Sequence, residues 1–172
     1  MKHFVNRTVL YLIGVIFIFG VALSSFAQRE KQSFNGIEGA WILEEWHMKD
    51  QIERPPKVEG RFFLQDGAFV LILVNQATAE PSTYYGYGTY TSDPSTFSMG
   101  FDKAELFKET ASGITVSRKL PWEGMKSFEI SKKDHQLDML SADGTEMIVE
   151  GNSLILKSKG KVTRTYQRAE SN

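Results

Sequence analysis

From residue 39 onward, apolar and polar residues alternate with a period of two in short runs, and each run ends in a turn signal. Gly39 to Met48 is the first. A regular strand there puts Trp41 and Leu43 on one face and Ile42 and Trp46 on the other, with Glu44 between them. Lys49 to Lys57 contains Arg54-Pro55-Pro56, which excludes a central strand and is long enough for a flap over a barrel mouth. Arg61 to Gln65 and Ala68 to Val74 flank Asp66-Gly67, a strong hairpin signal, because the favoured turn needs positive φ at both positions. Phe69 to Val74 is apolar on both faces.

Tyr84 to Tyr90 has its own pattern. Tyr85, Tyr87 and Thr89 share one face, and Tyr84, Gly86, Gly88 and Tyr90 share the other. Glycines inside a strand mark a bend, a bulge or a close approach of backbone. Thr96 to Phe101 predicts a strand, while Phe101 to Thr110 fits either an irregular strand or a short helical turn. Ile114 to Leu120 alternates until Pro121-Trp122-Glu123-Gly124 breaks it. Lys126 to Ser131 alternates again. Gln136 to Leu140 and Glu146 to Glu150 flank Asp143-Gly144, a second hairpin signal. Across Gly151-Asn152, Val149 pairs with Leu154 and Met147 with Leu156. A three-residue turn at Ser158-Lys159-Gly160 sets Leu156 opposite Val162 and Leu154 opposite Arg164, placing Arg164 on the face of that apolar patch.

These runs predict eight to ten short strands and little helix. Successive hairpins make an antiparallel meander, and a long meander must curl or close to protect its edges. The expected architecture is all-β: an up-and-down antiparallel barrel with room inside for side chains or one small ligand.

The first 27 of the 172 residues have another layout. Lys2 and Arg7 precede the uncharged run Val9 to Leu23, and Ser25-Phe26-Ala27 offers small residues at a cleavage site. This predicts a secretory signal (residues 1–27) cut after Ala27, and a periplasmic or secreted mature protein that does not span the membrane. A flexible arm (28–37), the barrel (38–168) and a short tail (169–172) follow. The mature part keeps 18 basic and 21 acidic side chains, so no strong basic field points to nucleic acid. Cysteine is absent, which removes disulfides, thiol catalysis and thiolate metal sites.

Gly39-x-Trp41 on the first strand, the Asp66-Gly67 hairpin and the run Tyr85-Gly86-Tyr87-Gly88-Thr89-Tyr90 together resemble the bacterial lipocalin-like domains of the lipocalin superfamily. The resemblance implies a barrel over residues 38 to 168. It makes Gly39 and Trp41 structural, and places Arg164 or Arg168 across the indole. The strand pairing above favours Arg164. The absence of cysteine, and of a clear helix before the last strand, departs from secreted lipocalins, so no particular lipocalin ligand carries over.

If the barrel is hollow, its wall comes from inward residues such as Phe62, Phe69, Leu71, Tyr85, Tyr87, Val116, Phe128 and Met147. The alternative is that these fill a solid core. Tyr85 and Tyr87 stand out because a buried hydroxyl needs a partner. Arg118, on an apolar alternation, suits either a salt bridge at the rim or a fatty carboxylate ligand. His47 and His135 lack metal-ligand spacing, and no nucleophile elbow or phosphate loop occurs. The expected function is noncovalent binding of a small hydrophobic or amphipathic ligand, without enzymatic activity, metal or cofactor. The alternative is an envelope or periplasmic interaction module with a filled barrel. Homodimerisation is left open.

Overall fold

The computed structural model describes residues 36–49 and 51–169, and everything below concerns these. The expected signal segment, residues 28–35 of the arm and residues 170–172 of the tail lie outside them. The described strands are β1 (Gly39–His47), β2 (Ile52–Glu53), β3 (Val58–Gln65), β4 (Ala68–Asn75), β5 (Ser82–Ser92), β6 (Thr96–Thr110), β7 (Gly113–Ser117), β8 (Lys126–Lys133), β9 (Gln136–Ser141), β10 (Thr145–Glu150), β11 (Ser153–Ser158) and β12 (Lys161–Arg168).

Ten of them close a barrel in the order β1-β3-β4-β5-β6-β8-β9-β10-β11-β12, with β12 returning to β1. All pairings are antiparallel, so the all-β up-and-down barrel expected from the sequence is the observed fold. β2 pairs only with the end of β1, and β7 only with the outer half of β6. Closure leaves no long unpaired edge on the ring.

The hairpins follow the turn chemistry. Asp66 and Gly67 both take positive φ (51° and 82°) between the paired residues Gln65 and Ala68. Lys159 and Gly160 do the same (49° and 76°) between Ser158 and Lys161. This last turn is therefore two residues long, not three. A bulge one pair later places Leu156 opposite Arg164 and Leu154 opposite Tyr166. The expected β11–β12 register is corrected accordingly, although Arg164 stays on the face of Leu154 and Leu156.

Two further bulges decide which side chains enter the barrel. In β1, Glu44 is an extra residue between the pairs Leu43–Tyr166 and Glu45–Thr165. It reverses the alternation, so Trp46 joins Trp41 and Leu43 on the inner side instead of opposing them. In β6, the register shifts between Lys103 and Phe101, so Phe97, Met99 and Phe101 point inward before the bulge and Ala104 and Leu106 after it. Thr96 to Thr110 is thus one long bulged strand, with no helical turn.

The interior has two zones. Where β1 begins and β12 ends, the barrel is packed solid by Ile37, Trp41, Leu64, Phe69, Phe97 and Tyr166, all essentially without solvent contact. Ile37 is therefore core, and the part of the arm that is described is not free chain. At the other end, around Trp46, Leu73 and Tyr84, the interior opens into a cavity.

Candidate ligand cavity

The cavity has a volume of about 630 Å³ and is open to solvent. Phe62, Leu71, Met99 and Phe101 supply much of its apolar wall from β3, β4 and β6, and Phe128, Met147 and Leu156 close it from β8, β10 and β11. A chain of edge-on rings separates it from the packed zone. Phe62 meets Phe69 at 6.1 Å, Phe69 meets Phe101 at 4.9 Å, and Phe101 meets Trp122 at 4.8 Å between centroids. Such T-shaped contacts match the edge of one ring to the face of the next and fix ring positions.

The glycines of β5 make this ring chain possible. A Cβ on Gly86 would lie 2.7 Å from the Phe101 ring and 2.9 Å from the Tyr84 hydroxyl. A Cβ on Gly88 would run into the backbone carbonyl of Gly100. Both glycines therefore face inward, as does Tyr84. The outward face of β5 goes to Tyr85 and Tyr87, 47% and 50% exposed. This corrects the expectation that Tyr85 and Tyr87 line the interior. Bulky rings at those positions cannot point into a space already occupied by Phe69 and Phe101, so the smallest residues take the inner positions.

The other expected site residues divide as follows. Phe62, Leu71, Phe128 and Met147 line the cavity. Phe69 is buried in the ring layer beneath it. Val116 stands on β7, all of which is exposed, and is 45% exposed itself. Arg118 is exposed as well, and its Nε donates to Glu105 at 2.9 Å, so of the two roles open to it the salt bridge is the one seen. Val116 and Arg118 leave the site because β6 and β7 extend beyond the ring, and β8 joins β6 only over Thr96–Met99.

Side chains that were not among the expected wall complete it. Trp46 enters through the Glu44 bulge, Tyr84 through the inward face of β5, and Leu106 through the bulge in β6. Trp122 belongs to the segment that breaks the alternation after β7. It lies against Phe101 with the Lys126 ammonium 4.3 Å from its ring centroid. Lys126 also donates to Asp143 at 2.8 Å. This bond, together with those from Ser141 and Thr145, holds the Asp143 carboxyl well below the usual range.

The polar character of the cavity is one-sided. Lys157, Arg164 and His47 line it, with Asn75, Ser82, Thr145, Ser158 and Thr163, and no Asp or Glu does. Lys157 reaches Glu146 at 3.2 Å. Arg164 has no carboxylate partner among the described residues; its guanidinium lies over the Trp46 ring at 4.5 Å. Its Nε is buried without a hydrogen-bond acceptor, and the buried hydroxyls of Tyr84 and Tyr166 are likewise unpartnered. Burial pushes both phenols up to about 12, and the Arg164 charge acts in the opposite direction on each. Arg164 thus sits close enough to both rings to be felt electrostatically.

The cation over Trp41 is Arg168, not Arg164. Its guanidinium lies 4.1 Å from the indole, and it donates to the carbonyls of Gly36 (2.8 Å) and Glu38. Trp41 Nε1 donates to the Ile37 carbonyl at 2.8 Å. Gly39 takes φ +128°, and a Cβ there would lie 2.6 Å from Arg168 Nη1. The shift in the β11–β12 register carries Arg168 to this place, opposite Trp41 on β1.

No cluster of three or more His, Asp or Glu side chains able to hold a metal occurs among the described residues. No helix among them is long and apolar enough to cross a membrane. No protein-family model, curated protein or solved structure matches this chain.

Proposed function

We propose that this protein is an exported, lipocalin-type barrel that binds one small hydrophobic or amphipathic molecule noncovalently and performs no catalysis. The observation that carries this reading is the interior cavity of about 630 Å³ with a mostly aromatic and aliphatic wall. Its volume falls within the range of roughly 300–1,000 Å³ typical of sites that bury most of a small ligand. Affinity would come from apolar burial, with a few polar groups fixing orientation. Export rests on the leader sequence, and the lipocalin comparison on Gly39, Trp41 and the Arg168 clamp.

Native mass spectrometry of the protein purified from its own envelope extract tests the reading, alongside titration with apolar ligands followed by tryptophan fluorescence. Trp46 and Trp122 line the cavity and report on its occupancy. A co-purifying small molecule, displaced on titration and lost on Leu73→Trp, is the expected result. A ligand-free protein with no fluorescence response to any lipid or aromatic probe would overturn it.

One observation favours a second reading, an interaction module. Phe63, Val70 and Tyr87 stand side by side on the outer face of β3, β4 and β5, and each is more than two-fifths exposed. A contiguous apolar strip on an outer sheet face is a feature of contact surfaces. Light scattering of the purified protein checks it: a monomer that becomes no more soluble on Val70→Lys and Tyr87→Lys argues against this use of the strip.

A further inference from the structure

We propose that the ligand of this cavity carries a single carboxylate, which seats on Arg164 and Tyr84 while its apolar part lies against the Phe62, Leu71, Phe101 and Trp122 wall. This deepens the binding reading above and rests on it.

Charge comes first. Lys157, Arg164 and His47 line the cavity, and no acidic side chain does; His47 is bonded to Glu45 at 2.9 Å. Lys157 is neutralised by Glu146. Arg164 is not paired with any carboxylate among the described residues, and its guanidinium lies over the π face of Trp46. A guanidinium removed from water is costly unless its donors are used. The Trp46 ring satisfies the flat face of the cation and leaves the N–H edge free.

Hydrogen bonding comes second. The Nε–H of Arg164 and the hydroxyl of Tyr84 are both buried and both unpartnered, and both belong to residues that line the cavity. Buried donors are rarely left unused. Both are donors, and the phenol stays protonated because burial pushes it up to about 12. A site offering two donors beside a positive charge selects an acceptor that is itself negative. Guanidinium and carboxylate also match in shape. A neutral alcohol would use at most part of this set, and an ammonium head would be repelled.

The apolar share of the wall sets the rest of the molecule. Phe62, Leu71, Phe101 and Trp122 lie on the same cavity as Arg164. The ligand class is therefore an amphipathic monocarboxylate, with an alkyl or aryl body and one ionised head.

Decanoate and 1-decanol, of similar size but different head charge, are the probes. They are titrated into the full-length mature protein at pH 7.5 and followed by tryptophan fluorescence and calorimetry. Decanoate should bind at least about tenfold more tightly than decanol, the effect of one charge-assisted hydrogen bond. Arg164→Gln should bring the two within about twofold of each other by weakening decanoate, and Tyr84→Phe should weaken decanoate more than decanol, by about threefold to tenfold. Equal binding of the two probes by the unmodified protein, or a preference that survives Arg164→Gln, overturns the carboxylate assignment and leaves the cavity reading intact. Binding of neither probe overturns both. Should Arg164→Gln not fold, carboxyl-labelled decanoate decides. Its carbon-13 resonance when bound should remain that of the ionised acid at pH values where free decanoate is protonated. A bound head that titrates like the free acid overturns the proposal.

Discussion

β1 and β12 hold two tryptophan–arginine pairs, and the two differ in nearly every respect that matters. Trp41 and Arg168 are cross-strand neighbours in the packed zone, and so are Trp46 and Arg164 in the cavity zone. Both cations lie over an indole at similar distance, 4.1 Å and 4.5 Å. At the packed end both side chains bond backbone carbonyls: Trp41 donates to that of Ile37, and Arg168 to those of Gly36 and Glu38. The pair fastens the incoming chain to the end of the last strand. At the cavity end Arg164 Nε and the Tyr84 hydroxyl have no partner. The same two residue types, five residues apart on β1 and four on β12, thus make a structural clamp and an unsatisfied site. A cation–π contact alone does not distinguish these roles; the fate of the remaining donors does.

The largest expected effect tests the clamp. Trp41→Ala removes a fully buried indole and should cost about 3–5 kcal/mol, whereas Trp46→Ala, at the wall of a space already empty of side chains, should cost about 1 kcal/mol. Urea unfolding of the two variants checks this, and equal losses would break the distinction. The arginines come next. Arg168→Gln deletes charge-assisted bonds to two carbonyls and should destabilise by about 2–3 kcal/mol. Arg164→Gln removes a cation with no carboxylate partner and should change stability by less than about 1 kcal/mol in either direction. If Arg164→Gln proves as damaging as Arg168→Gln, Arg164 is a clamp too, and the anion site loses its basis.

The alkaline limb of the stability curve sharpens the electrostatic side. Tyr166 is fully buried, and burial pushes its phenol from 10 up to about 12. The folded chain therefore holds this proton more tightly than the unfolded chain. Its contribution is fully present below pH 10 and is lost as pH rises from 10 through 12, by about 3 kcal/mol. Tyr166→Phe should flatten that fall. At pH 7 it should also stabilise by about 1 kcal/mol, because it removes a buried hydroxyl without a partner. Guanidinium melts at pH 7 and pH 11 measure both, and a loss of stability at pH 7 would show that the hydroxyl is satisfied in solution.

The barrel itself was legible because its causes are local. Period-two alternation, Asp66-Gly67, Asp143-Gly144 and Gly151-Asn152 specify hairpins, and a chain of hairpins has few ways to end other than closure. The inner wall was harder to read because its side assignments depend on bulges. Glu44 and the register shift near Phe101 each reverse the alternation. One unseen extra residue moves every later side chain to the opposite face. Trp46 was hidden in this way, and the register that sets Arg168 was displaced by a turn one residue shorter than expected and the bulge after it. Tyr84 needed no bulge. Its place followed from Gly86 and Gly88, since the face with the glycines is the crowded one. The glycines carried that signal, but the larger tyrosines on the other face drew attention away from it.

The smallest expected effect concerns that outer face. Tyr85 packs on Phe107 at 5.8 Å, and Tyr87 lies opposite Val70 and Lys103, all outside the ring. Both residues are about half exposed, and neither lines the cavity. Tyr85→Ser and Tyr87→Ser should therefore shift stability by about 1 kcal/mol or less, through lost cross-strand ring contact, and should leave decanoate affinity unchanged within about twofold, far below the roughly tenfold loss expected for removing a charged donor. Calorimetry on the two variants reads this directly. A marked loss of affinity would mean that β5 turns its other face inward, which the approach of Gly88 to Gly100 forbids, because the reversed strand would have to fit a tyrosine where not even a methyl group fits.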